Sequence, residues 1–320
     1  MFKLLVTGGS GFIGKAICKN LKKNNYTINI TSRRDLTSNF KGFKFYKINE
    51  IDENTKWSQA LDEVSCLIHC AAKNHVMNNL KKNSLSSFRK ANVQGTINLA
   101  KQAVACGVKR FIFLSSIKVN GEKTEKLKVF KYNDIPKPED SYGISKWEAE
   151  QGLWKISKET GLEVVIIRAP LVYGPGVKGN LRRLIKLIQS KIPLPFSLIK
   201  NQRSFIGIDN LVDLIIRCID DNRAPGNTFL VSDEKDLSTL DLLRQMASSM
   251  GISVRIFPLP LSLLKFFGFI LGKKTEIDRL IGSLQIDISH TKETLNWTPR
   301  ISVEEGFRRM AQAKKENNRM

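Results

Sequence analysis

Short apolar runs alternate with stretches of helical periodicity along the first half of the chain. Residues 2–7 form a run suited to a buried parallel strand. A glycine-rich turn follows at 8–14, and a helical pattern then continues through Leu21. Further strands are expected at 26–31, 43–48, 66–72, 109–116 and 163–168. Helices are expected at 57–64, at 85–105 and over the stretch holding Tyr142 and Lys146. This alternation predicts an α/β fold built on a doubly wound parallel sheet, whose ligands sit at the carboxyl ends of the strands. Gly8, Ala71, Ser116 and Arg168 fall at such ends.

The turn after the first strand carries glycines at 8, 11 and 14. They permit a tight turn, close approach of backbone to a pyrophosphate, and close helix–strand packing. The following helix N-terminus presents N–H groups to that diphosphate. Gly8, Ser10, Gly11, Phe12, Ile13 and Gly14 therefore form a candidate dinucleotide site. After the second strand stand Ser32, Arg33 and Arg34, where an acidic residue would hold the ribose hydroxyls of NAD. Two guanidiniums suit a 2′-phosphate, which favours NADP(H) and leaves NAD(H) open; the plainer reading is a pair of solvated loop arginines. Glu50 and Ile51 fall near the adenine position. Ala71 and Ala72 are small enough to let a cofactor approach the backbone, and Asn92, part-way along helix 85–105, joins the cofactor set. His69 and His75 lack partners and read as packing or loop residues.

Composition narrows the picture. An apolar fraction of 42% in 320 residues is that of a soluble globular protein with a sizeable core. The apolar run at 1–6 is too short for a signal peptide, so a cytoplasmic chain is expected. Five scattered cysteines read as buried thiols, with no metal site. Fifty-two basic against 30 acidic residues leave a net charge of +22, spread rather than blocked. No nucleic-acid-binding motif accompanies it, so no nucleic-acid partner is expected; anionic substrates or an anionic membrane surface remain open.

Tyr142 and Lys146 lie four apart on a helix, hence on one face. A cation beside a phenol favours the phenolate and would bring the Tyr proton within reach of neutral pH. With the turn Thr7-Gly-Gly-Ser-Gly-Phe-Ile-Gly14 and the strand end Ser115-Ser116, the chain resembles the extended short-chain dehydrogenase/reductases, specifically their nucleotide-sugar epimerase and reductase group, over essentially its whole length. The resemblance implies a Rossmann domain at 1–170, with a returning segment near 203–232, and a smaller mixed α/β substrate-binding portion at 171–320. It makes Tyr142 the proton donor or acceptor, Lys146 the residue that lowers its pKa and holds the nicotinamide ribose, and Ser116 the partner of the reacting oxygen. Ser115 becomes a backbone contact to cofactor. A helix-paired homodimer is common in the group.

Departures from the group's pattern discriminate among its activities. Ile117 and Lys118 replace the Asp-Glu pair of the sugar 4,6-dehydratases and cannot supply that acid and base. The arginines after strand two depart from the epimerases, which usually keep NAD tightly bound. In the second half, Asn180 and Leu181 open a helix where relatives contact a diphosphate, and Arg203 and Arg279 are candidates to clamp it. Segments 202–213 and 276–287 look like those of the enzymes that reduce 4-keto-6-deoxy-N-acetylhexosamines in bacterial surface-polysaccharide (O-antigen) synthesis. The expectation is an NADPH-dependent 4-keto reductase acting on a nucleotide-linked or polyprenyl-diphosphate-linked sugar. A nucleotide-sugar 4-epimerase with NAD is the alternative, and a non-catalytic cofactor-sensing or membrane-associated scaffold is the alternative of another class. Residues 259–274 are apolar, aromatic and flanked by lysines, but too short to span a membrane. A buried helix of the substrate portion is the plainer expectation; a helix resting on the inner membrane face is the sharper one.

Overall fold

The computed structural model describes residues 2–23, 26–33, 42–74, 84–125 and 127–317. Among them run strands β1 (Lys3–Thr7), β2 (Thr27–Ser32), β3 (Lys44–Lys47), β4 (Cys66–His69), β5 (Arg110–Ser116), β6 (Glu163–Ala169), β7 (Leu171–Tyr173), β8 (Phe205–Gly207) and β9 (Thr228–Leu230). Seven form one parallel sheet in the order β3-β2-β1-β4-β5-β6-β9, while β7 and β8 make a separate parallel pair. The helices are α1 (Phe12–Lys23), α2 (Ser58–Leu61), α3 (Leu85–Phe88), α4 (Gly95–Ala105), α5 (Ser141–Thr160), α6 (Gly179–Gln189), α7 (Ile208–Asp220), α8 (Thr239–Met250), α9 (Leu261–Ile270), α10 (Lys274–Ile281), α11 (Ser289–Leu295) and α12 (Val303–Asn317).

The strands are apolar on both sides because both sides are covered. Leu4, Val6, Ile30, Ile112 and Val165 pack with Ile17 and Leu21 of α1 and with Leu211 and Ile215 of α7. Leu5, Leu67, Phe113 and Ile166 point the other way, onto Leu99 of α4 and Leu153 of α5. A third core joins Leu181 of α6, Leu243 of α8 and Phe307 of α12. Two buried arginines tie the sheet to its helices. Arg110, at the start of β5, pairs with Glu163 and donates to the carbonyls of Cys218, Ile219 and Asp221 at the end of α7. Arg168, near the end of β6, pairs with Glu150 of α5 at 2.6 Å and donates to Asn120 at 3.0 Å.

Two expected elements differ in detail. The strand at 66–72 stops at His69, and the residues after it run as loop. The helix at 85–105 is broken by a π-helical turn, Arg89–Gln94, between α3 and α4. One expectation fails outright. In α9 only Leu264 and Gly268 are buried, so the segment is not an interior helix.

Candidate active site

The cofactor end is shaped by main chain. Gly8 sits at φ +71°, and a Cβ there would come within 2.9 Å of the backbone of Ala71. At Gly14 a Cβ would lie 2.3 Å from the Gly8 carbonyl. Gly11 N–H donates to that same carbonyl at 2.8 Å, closing the turn. The first turn of α1 carries no acidic residue, so its N–H groups face the turn without competition from a carboxylate. This cradle, bare of side chains, fits a dinucleotide pyrophosphate. Ser10, Phe12 and Ile13 are half-buried around it, and so are Ala71 and Ala72 on the loop after β4.

That loop is fixed from beneath. Ala71 N–H donates to Thr7 Oγ1 at 3.2 Å, and the same hydroxyl is hydrogen-bonded to His69 Nδ1 at 2.7 Å. His69 Nε2 lies 3.1 Å from Thr96 Oγ1, so both ring nitrogens are hydrogen-bonded. Burial pushes this imidazole down to about 3, and His69 is a neutral packing residue. Asn92 is likewise committed: it accepts from Lys73 N–H at 2.7 Å and donates to Lys73 O and to Ser145 Oγ. Its visible role is to tie the loop to α5.

The remaining cofactor candidates divide. Ser32 is buried at the end of β2, and Arg33 is exposed beyond it; Arg34 and His75 lie outside the described residues. Exposed Glu50 lies 3.7 Å from Lys90, and Ile51 packs where a Cβ on Gly95 would be.

At the chemical end, β5 delivers Ser115 and Ser116 to opposite sides, as strand alternation requires. Ser115 Oγ turns to Glu150, inside the α5 contact. Ser116 is half-buried, and its Oγ accepts from Lys118 N–H at 3.3 Å, capping the short 3₁₀ turn Ile117–Val119. Opposite stands the first turn of α5. Asp140 caps it, accepting from Gly143 N–H at 2.7 Å. Gly143 is needed for space, since a Cβ would meet the Lys118 carbonyl at 2.8 Å. The turn that carries Ser116 and the helix that carries Tyr142 are thus pressed backbone to backbone.

Tyr142 packs edge-on against buried Phe88, with ring centroids 6.1 Å apart. Lys146 is 2% exposed, and its ammonium sits 4.0 Å over the Phe113 ring. Burial pulls Lys146 down to about 7, against the carboxylate of Glu150, which raises it. Burial first, and Asp140 second, push the Tyr142 phenol above its ordinary value. In the chain itself burial therefore moves the phenol in the direction opposite to the lowering expected from a neighbouring cation.

The substrate candidates are partly gathered. Arg203 donates to the carbonyls of Arg279 and Gly282 at 3.0 Å each. Its own burial and the nearby Arg279 guanidinium pull it down to about 10, so two cations do converge. Arg279 reaches Glu122 at 3.4 Å and Asp140 at 3.8 Å, and its Nε is buried without a hydrogen-bond partner among the described residues. Lys118 joins the same group, held by Glu122 at 2.7 Å and by Asp140. Asn180 is exposed at the start of α6, whereas Leu181 is buried in the third core and can offer a ligand only its main chain. Gly143, Asp140, Glu122 and Ser145 escaped the sequence reading, and Lys118 entered it only as a missing acid. Asp140 three residues before Gly143 was a visible capping signal.

A parallel seven-stranded sheet, a glycine cradle at β1 and a Tyr-x-x-x-Lys helix facing a strand-end serine define a dinucleotide-dependent oxidoreductase. The model of the NAD dependent epimerase/dehydratase family matches residues 4–232, and the chain belongs to that family. It is 45% identical over 312 residues to a UDP-glucose 4-epimerase of Vibrio cholerae, covering 97% of this chain and 94% of that one. It is 27% identical, over 88% of its length and 84% of the relative's, to the N-acetyl-alpha-D-glucosaminyl-diphospho-ditrans,octacis-undecaprenol 4-epimerase of Escherichia coli O157:H7. Its fold is that of UDP-glucuronic acid 4-epimerase from Bacillus cereus in complex with UDP-glucuronic acid and NAD, with a TM-score of 0.79 and 22% identity over 99% of this chain and all of that one.

Proposed function

We propose that this enzyme inverts C4 of a hexose or N-acetylhexosamine carried on a diphosphate, using NAD that stays bound through the cycle. The observation that carries this over net 4-keto reduction is the 45% identity, nearly end to end, to a 4-epimerase. The site supports it by what it offers after Ser116: Ile117 is buried and the Lys118 ammonium is held by two carboxylates, so no dehydrating acid–base pair stands there. Chemistry is then confined to oxidation and reduction at one carbon.

Gly8, Ser10, Gly11, Phe12, Ile13 and Gly14 would hold the NAD pyrophosphate, which is where the glycine cradle fits it. Bound NAD supplies a hydride acceptor that becomes the donor for the return step. Tyr142 takes the C4 hydroxyl proton as hydride departs and gives a proton back when hydride returns to the other face of the keto-sugar. Ser116 donates to the C4 oxygen as charge builds on it. Lys146, close to neutral in its pKa, relays the Tyr142 proton and counters the phenolate charge. Arg203 and Arg279 receive the diphosphate, whose oxygens would satisfy the orphaned Arg279 Nε.

A second reading is net reduction of a 4-keto-6-deoxy-N-acetylhexosamine with NADPH, favoured by exposed Arg33 in place of an acid after β2. The two readings separate in one experiment. Denatured enzyme should release NAD, and holoenzyme should interconvert UDP-glucose and UDP-galactose, or their N-acetyl forms, without added cofactor. An enzyme that leaves these sugars unchanged yet consumes NADPH with a 4-keto sugar would overturn the epimerase reading. Tyr142→Phe should retain NAD and lose turnover by about 10²–10⁴-fold.

A further inference from the structure

Helix α9 is amphipathic the wrong way round for a protein in water. Its buried positions, Leu264 and Gly268, face α10, where a Cβ on Gly268 would lie 2.6 Å from Ile277. The rest of this 3.6-residue helix carries Leu263, Phe266, Phe269 and Ile270. Phe269 is 72% exposed, Ile270 60% and Phe266 56%. Leu261, Phe267 and Leu271 extend the same apolar surface. Exposed aromatics in a contiguous patch mark a surface meant to be covered. Lys265, Lys273 and Lys274 border it, and a cleft of about 310 Å³ between α9 and α10 is lined by Phe266, Phe269, Lys265 and Lys274, with Asp278 beside them. The acids of this hairpin are Glu276 and Asp278. With Arg279 the hairpin carries four cations to two acids, in a chain of net charge +22.

We propose that the α9–α10 hairpin docks on an anionic lipid bilayer, seating Leu263, Phe266, Phe269 and Ile270 in the interface with the lysines against headgroup phosphates. Charge complementarity selects this occupant: an apolar centre with a basic border suits an anionic bilayer surface. The hairpin is too short to cross the membrane, and no described helix is long and apolar enough to do so. The same hairpin carries Arg279, beside Arg203. Docking would therefore hold the diphosphate candidates close to the headgroup layer, where a polyprenyl-diphosphate-linked sugar presents its diphosphate. This last consequence rests on the epimerase reading; docking does not.

The test is flotation of holoenzyme with vesicles of phosphatidylglycerol and phosphatidylethanolamine, against vesicles of phosphatidylcholine alone. Wild-type protein should float with the anionic vesicles. Phe266→Ser/Phe269→Ser/Ile270→Ser should remain in the dense fraction, and Lys265→Gln and Lys274→Gln should each weaken partition by about fivefold at low salt. All of these positions are exposed, so conversion of a soluble nucleotide-sugar by the variants should match wild type. No flotation of wild type, or flotation untouched by the triple variant, overturns docking through α9. Light scattering covers the rival occupant: a wild-type dimer that the triple variant converts to monomer, without vesicle binding, assigns the patch to a second copy and overturns the proposal. Failure of epimerisation with intact flotation would sink the enzymatic reading and leave docking standing.

Discussion

Lys146→Met replaces a buried ammonium with an apolar side chain of similar length, and it should make the cofactor-stripped enzyme more stable while removing its activity. Burial pulls Lys146 down to about 7 in the folded chain, from an ordinary lysine value of 10.5. In the interval between these values the unfolded chain binds the proton that the folded chain gives up, so stability rises with pH there and falls as pH is lowered toward 7. Linkage makes that penalty about 4 kcal/mol at pH 7 and about 2 kcal/mol at pH 9. The contact of the ammonium with the Phe113 ring, 4.0 Å away, offsets about 1 kcal/mol of it. The Met variant should therefore gain about 2–3 kcal/mol at pH 7, and the gain should shrink by about 2 kcal/mol by pH 9. Urea melts of both proteins at pH 7, 8 and 9, with unchanged m-values, measure this directly. A Met variant less stable than wild type at pH 7, or a difference that does not move with pH, would refute the argument that desolvation governs this lysine.

Other substitutions probe the placement of the site. Gly143→Ala should leave NAD bound but reduce kcat by about 10²-fold, because the added Cβ at 2.8 Å from the Lys118 carbonyl separates Tyr142 from Ser116; steady-state kinetics with a fluorescence titration of cofactor would show it. Ser116→Ala should lower kcat by about 10²–10³-fold with little change in KM, read in the same assay. Glu150→Ala strands a guanidinium that is 4% exposed, and should cost about 3–5 kcal/mol in a denaturant melt.

Much of the sheet was legible because a parallel strand buried on both faces leaves a run of apolar residues, and residues 3–7, 110–114 and 163–167 show it plainly. The glycine cradle was legible because Gly8 and Gly14 stand where a side chain would strike backbone. Four things were not. The π-helical turn at Arg89–Gln94 hides inside a pattern whose apolar spacing also suits an α-helix. The spacing of Tyr142 and Lys146 records a neighbouring charge but not the loss of water around both groups. Apolar α9 reads as interior because a run hydrophobic on every side does not disclose which side meets protein. Glu150, by contrast, looks like a surface position of a long helix, and only its partner on β6, 18 residues later, makes it a core residue.

Gly143 has a consequence for how this scaffold can be retuned. The gap between the serine turn and the tyrosine helix is set by a position with no side chain, resting on a peptide carbonyl. The Lys118 side chain therefore does not act as a spacer; its carbonyl does. Lys118 can be exchanged for an acid or a neutral group, changing which protons are available beside the reacting carbon while the phenol keeps its distance from the serine, whereas Ile117 is buried in the core and Asp140 caps the tyrosine helix. Charge and geometry are separately adjustable at this one junction, and the reaction type can change without a new fold.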